Sequence, residues 1–186
     1  MALEPTLHRF TVEEYERLWH QGTFGDRARV ELLDGEVFHT VPIGPRHANC
    51  VARLDALLHR RLADRAVVRV QSPAPLGDFS EPEPGLVALR PGFDRYDTRH
   101  PNPSDVLLLV EVSDTALAFD RSRKLPIYAR AGVPEAWIVD IEGEAVEVHR
   151  EPGPDGYQAV ERHGRGARVA PLAFPDAALA VDEILG

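Results

Sequence analysis

The sequence predicts an α/β (α+β) fold with a mixed central sheet flanked by helices. Three observations carry that reading: an Asp-Gly hairpin set between two helical patterns, a nearly continuous apolar run at Asp105–Val112, and a second hairpin that follows a further helix. With 186 residues, 44% of them hydrophobic and 27% charged, the chain has the balance of a globular protein rather than a disordered one. One domain spanning 1–186 is expected, large enough to bury a core without staples.

Taken in order, Thr11-Val-Glu-Glu14 is a capping box that predicts a helix to about His20. Arg29–Leu33, Asp34-Gly35 and Glu36–Val41 form a hairpin signature, because Asp-Gly supplies the positive φ of a primed turn. Between Pro45 and Leu62, apolar residues at Ala48, Val51, Leu54, Leu57, Leu58 and Leu62 follow the helical period. Ala66–Val70 and Leu86–Leu89 read as strands, separated by proline-rich extended backbone. Asp105–Val112 has the apolar character of a strand buried on both faces. A helix over about Asp120–Ala131 stops at Gly132, with Pro126 removing a backbone donor inside it. Glu135–Asp140 and Ala145–His149 make the second hairpin, Gly156–Arg162 an edge strand, and Val181–Leu185 a short terminal helix.

A formal net charge of -9 opposes generic affinity for a polyanion, so any DNA contact must be local. The arginines of Arg60-Arg61-Ala-Asp-Arg65 and Arg121-Ser-Arg123-Lys124 are expected on solvated helix faces. The single cysteine, Cys50, lies in an apolar-periodic stretch and is expected to be a buried thiol. No apolar run is long enough to span a bilayer, and Met1–Phe10 lacks a signal-peptide core, so a cytoplasmic location without membrane contact is expected. A homo-oligomer is compatible with the sequence. The eight histidines show no zinc-site spacing, and neither a nucleophile elbow nor a phosphate-binding glycine loop occurs.

Lys124 is the only lysine among 21 basic residues. A lysine is a compact, rotatable ammonium and does not substitute for arginine at a reacting centre, although a stray lysine on a solvated face would look the same. Glu111 lies near the end of the most apolar strand, on the face that two-residue alternation shares with Leu107 and Leu109. Glu31 lies between Val30 and Leu32 in the first hairpin. Burying either carboxylate costs several kcal/mol unless it is paired or metal-bound, whereas at a sheet margin each could keep its head in water. Converging carboxylates suit a hard divalent cation such as Mg²⁺, and a nearby ammonium can stabilise phosphate charge or help deprotonate a water. The pattern points to metal-assisted hydrolysis of a phosphodiester. His47 could approach this site from the start of the long helix, while Trp137 and Tyr128 are expected in the core.

Glu31-Leu-Leu-Asp-Gly-Glu36, Gly44-Pro-Arg-His47, Ser80-Glu-Pro-Glu-Pro84, Leu109-Val-Glu-Val-Ser-Asp114, the run from Lys124 to Glu135 and Trp137-Ile-Val-Asp140 together resemble the Uma-type family of restriction endonucleases, within the PD-(D/E)XK nuclease superfamily. The resemblance runs from about Phe10 to Arg150 and implies a restriction-endonuclease-like fold. It also implies a Mg²⁺- or Mn²⁺-dependent endonuclease with catalytic Glu31, Glu111 and Lys124, the lysine displaced from the strand, where Ser113 stands, to the next helix. The family pattern places a metal-binding aspartate after the proline of Glu-Pro-x-Pro, but Gly85 stands there. Glu83, two residues earlier on the same face, is the substitute ligand this chain offers beside Glu111. The alternative is a catalytically inactive nuclease fold that serves as a binding or regulatory module.

Overall fold

The computed structural model describes residues 6–25, 29–40 and 43–186. Val41, at the end of the expected first hairpin, lies outside the described residues. Helix α1 (Val12–His20) begins with the complete capping box: the Thr11 hydroxyl takes the Glu14 amide and the Glu14 carboxylate takes the Thr11 amide. Strands β1 (Val30–Leu33) and β2 (Glu36–His39) pair antiparallel across Asp34 and Gly35, whose φ values of 50° and 81° are those of the primed turn. Glycine is required at 35 for a second reason. A Cβ there would lie 2.6 Å from the Cβ of Arg9, which crosses over the turn.

This hairpin is a two-stranded sheet of its own, joined to the following segment by the bridge between Leu32 and Glu81. After it come α2 (Pro45–Leu62), β3 (Val67–Val70), β4 (Leu86–Leu89) and β5 (Val106–Ser113). Next is a helical crossover composed of α3 (Leu117–Phe119), a π turn at Asp120–Lys124, and α4 (Leu125–Arg130). Strands β6 (Glu135–Asp140), β7 (Ala145–Gly153) and β8 (Gly156–Gly164) then complete a six-stranded sheet in the order β3-β4-β5-β6-β7-β8. Only β5 and β6 pair in parallel, which is why a helical crossover joins them. The small β9 (Arg168–Val169) and β10 (Leu179–Ala180) pair before α5 (Val181–Leu185).

One face of the large sheet buries Leu108, Val110, Val112, Trp137 and Val139 against α2 and α5, including Leu54, Leu58 and Ile184. The other face buries Leu109, Ala136 and Ile138 against Leu125, Ile127 and Tyr128 of α4. The mixed sheet flanked by helices is therefore as expected. Cys50 is buried against the Ile184 carbonyl, and burial pushes its thiol up to about 11. No helix among the described residues is long and apolar enough to cross a membrane.

Two local expectations need correction. Leu107 does not share the Glu111 face. The register slips from Ala88↔Leu108 to Leu89↔Val106, and the unpaired Leu107 of this bulge packs with the α2 side. The helix expected from Asp120 instead begins at Leu117 and widens at Asp120–Lys124, where the Leu125 amide reaches back to the Asp120 carbonyl. That extra residue places Pro126 in the first turn of α4, where a missing amide costs little. The first hairpin stands apart from the central sheet.

Candidate active site

The C-terminal end of β5, the hairpin and the π turn enclose a cleft of about 490 Å³. Glu31, Glu111 and Lys124 meet at its floor, with exposures of 4%, 6% and 6%. Each comes from a different element for a local reason. Glu31 projects from β1; Glu111 follows Leu109 on the α4 face of β5; the π turn directs Lys124 back over that strand.

Lys124 Nζ lies 3.2 Å from Glu111 Oε1 and 2.9 Å from Glu31 Oε2. Its hydrogen bond to Glu31 goes to Oε1 at 3.2 Å, so Oε2 is in ion-pair contact while its buried hydrogen-bonding capacity stays unused. Glu111 Oε1 also accepts from the Tyr128 hydroxyl. Burial alone would depress the Lys124 ammonium, but the charges of Glu111, Glu31 and Asp120 outweigh it and hold the pKa above its ordinary value. A lysine held protonated cannot take a proton from water near neutrality. It is a fixed cation at the floor of the cleft.

The floor carries an excess of negative charge. Burial raises the Glu31 carboxyl despite Lys124, and the nearby Glu111 adds to the rise. Asp120 accepts a hydrogen bond from Ser113, yet burial and Glu111 push its carboxyl up to about 7. Glu83 lines the same cleft, raised by burial, and makes no ion pair or hydrogen bond among the described residues. His47 also lines the cleft with its Nδ1 buried and unpaired, and burial lowers its pKa.

Continuing the register from Leu86↔Val110 places Gly85 opposite Glu111. A Cβ there would lie 3.1 Å from the Val110 carbonyl and 3.4 Å from the Val112 amide, a fit that needs a few tenths of an ångström of give. The position facing Glu111 thus lacks a carboxylate but has nearly enough room for one. Among the described residues, no three His, Cys, Asp or Glu side chains are placed to hold a metal ion. The charge excess suits a divalent cation; the donor geometry does not, because an ammonium already bridges the two acids.

Asp120 and Tyr128 were missed as site residues in the sequence, where Tyr128 is assigned to the core alone. The signal was present: Asp120, Lys124 and Tyr128 recur every four residues, a spacing that keeps side chains on one helix face. The arginine clusters are engaged elsewhere, Arg121 with Glu147, Arg123 with Glu36, Arg61 with Glu183 and Arg65 with Asp176.

A mixed sheet flanked by helices, with acids and a lysine gathered at the end of a central strand, is the arrangement that the resemblance to the restriction-endonuclease-like class implies. A solved structure described as a putative nuclease belonging to DUF820, from Anabaena variabilis, superposes with a TM-score of 0.71 over 95% of this chain and 97% of that one, at 13% identity. The family model for Uma2, described as putative restriction endonuclease, matches residues 12–182, and the chain belongs to that family. No curated protein matches its sequence.

Proposed function

We propose that the protein is an endonuclease-type phosphodiester hydrolase whose reacting centre is Glu31, Glu111 and Lys124. The observation that supports this most directly is their convergence, from three separate elements, at the floor of one cleft. Lys124 stabilises the charge that accumulates on the phosphorus oxygens in the transition state, and burial strengthens that interaction. Glu111 and Glu31 hold the ammonium in place, and Tyr128 fixes Glu111 by donating to it. The family is generally metal-dependent, with Mg²⁺ or Mn²⁺ as the expected cation. In this chain Glu111 and Glu83 are the carboxylates that would contribute to such a site, and Gly85 leaves it incomplete.

Gly85 favours a second reading, a nuclease fold that binds nucleic acid without cutting it. Calorimetric titration of Mn²⁺ and plasmid nicking, on the wild type and on Gly85→Asp and Glu83→Ala variants, separate the two. Nicking by the wild type that is lost in Glu83→Ala supports hydrolysis with Glu83 completing the site. Nicking only by Gly85→Asp supports the binding module. No cleavage of plasmid or of single-stranded DNA by the wild type or by Gly85→Asp would sink the hydrolase reading.

A further inference from the structure

We propose that the cleft takes single-stranded DNA, admitting one unstacked nucleotide whose base packs against Phe38 and Phe119. This rests on the nuclease reading and names the form of its substrate. The first observation is depth: the reacting groups are each 6% exposed or less, at the floor of a cleft of about 490 Å³. Duplex DNA is a stiff rod with its phosphates on a convex surface, and it does not bend into a cavity of that size. A single strand can thread a phosphate to the floor and leave the adjoining base on a wall.

The second observation is the wall. Phe38 from β2 and Phe119 from α3 line the cleft as a partly exposed aromatic pair, with ring centroids 5.3 Å apart and planes at 65°. The Arg123 guanidinium lies over the Phe38 ring at 5.6 Å and also pairs with Glu36, which fixes that ring's position. Aromatic faces bind any unstacked base, because every base has a π face.

The third is charge. The protein carries a net charge of -9, and Glu83, Asp114 and Asp120 add carboxylates to the cleft lining. Among the described residues of that lining, Arg29 and Lys124 are the only arginine and lysine, and Lys124 is already paired with two acids. Counterion release, the main source of duplex affinity, is therefore weak here, and base stacking must supply the binding energy.

The test is fluorescence anisotropy with a labelled oligodeoxythymidine and a labelled blunt duplex, in EDTA so that nothing is cleaved. Wild type is compared with Phe38→Leu and Phe119→Leu, which keep apolar bulk and remove the ring, and with Phe38→Tyr, which keeps the ring. Far-UV circular dichroism verifies that each variant is folded. The single strand should bind at least about tenfold more tightly than the duplex, and each leucine variant should lose about tenfold on the single strand alone. The tyrosine variant should retain wild-type affinity. Equal or tighter duplex binding, or leucine variants that bind the single strand like wild type, would overturn the proposal. If the duplex binds preferentially and is nicked when cation is added, the nuclease reading stands and only this inference falls. If neither form of DNA binds, both fall.

Discussion

Replacing Lys124 with methionine keeps the length and apolar stem of the side chain while removing the charge that bridges two buried acids. Glu31 and Glu111 are then left at 4% and 6% exposure without their shared counter-ion, 2.9 and 3.2 Å from where it stood. Removing one partner of a buried ion pair costs about 3–5 kcal/mol, a large share of the 5–15 kcal/mol that holds a typical domain together. Urea denaturation followed by circular dichroism at pH 7.5 should show a loss of that size. The loss should shrink toward pH 5. Without the ammonium, the Glu31 carboxyl pKa in the folded state rises further above its unfolded value, so the folded variant takes up a proton more readily than the unfolded chain as pH falls. Adding Glu111→Gln should recover part of the loss at pH 7.5, because it removes one of the stranded charges. A loss below about 1 kcal/mol at pH 7.5 would refute the reasoning, since it would mean that water already screens these groups as it screens surface pairs.

Gly85→Asp places a third acid beside Glu111, so it should lower the melting temperature in EDTA and produce a Mn²⁺-dependent rise larger than that of wild type; differential scanning fluorimetry reads both effects. Glu81 is buried beside Glu16 and Glu83, with one oxygen unpaired, and burial pushes its carboxyl up to about 8. The folded state therefore binds this proton more tightly than the unfolded chain, so its contribution is complete below about pH 4.5 and is lost as pH rises through 8. Glu81→Gln should accordingly be more stable than wild type at pH 9 by about 2 kcal/mol, after allowance for solvent screening, with the advantage gone at pH 4.5 in urea titrations. Glu135 is fully buried and accepts from Trp137 Nε1 at 3.0 Å, Arg150 Nε at 2.9 Å and the Leu172 amide. Glu135→Ala should cost about 3 kcal/mol in the same assay, because it removes the carboxylate partner of Arg150 and leaves the buried Trp137 indole N–H and the Leu172 amide without their acceptor.

What could be read in the sequence is what local chemistry dictates. Asp34-Gly35 specifies its turn because few other residue pairs tolerate two consecutive positive φ values. The apolar run through Leu109 and Val110 marks β5 because only a strand covered on both faces needs it. Glu31 and Glu111 stood out because each is costly in an apolar setting without a partner, and Lys124 because it is the only lysine. The bulge at Leu107 was hidden for the same reason that β5 was plain: a uniformly apolar strand has no alternation to betray a slipped residue. The π turn was equally hidden, since five residues are too few to tell one helical period from another. That the first hairpin stands apart from the main sheet depends on long-range pairing at Leu32 and Glu81, which no local pattern encodes.

The independence of that hairpin affects how the site can change. Carboxylates on neighbouring strands of one sheet are spaced by the backbone ladder, about 4.8 Å apart, and can be moved only by repacking the core. Glu31 and Glu111 belong to different sheets, so side-chain chemistry sets their separation, with Lys124 as the gauge. The hairpin is fastened at its turn, through Arg130 to Asp34 and the Gly35 amide to the Phe79 carbonyl, at the Leu32–Glu81 bridge, and by Leu33, which packs into the core beside Leu125 and Tyr128. It is in effect a replaceable jaw. Substitutions on the partly exposed β2 can reset the bite of the cleft while the buried β1 and the six-stranded frame that carries Glu111 keep their packing.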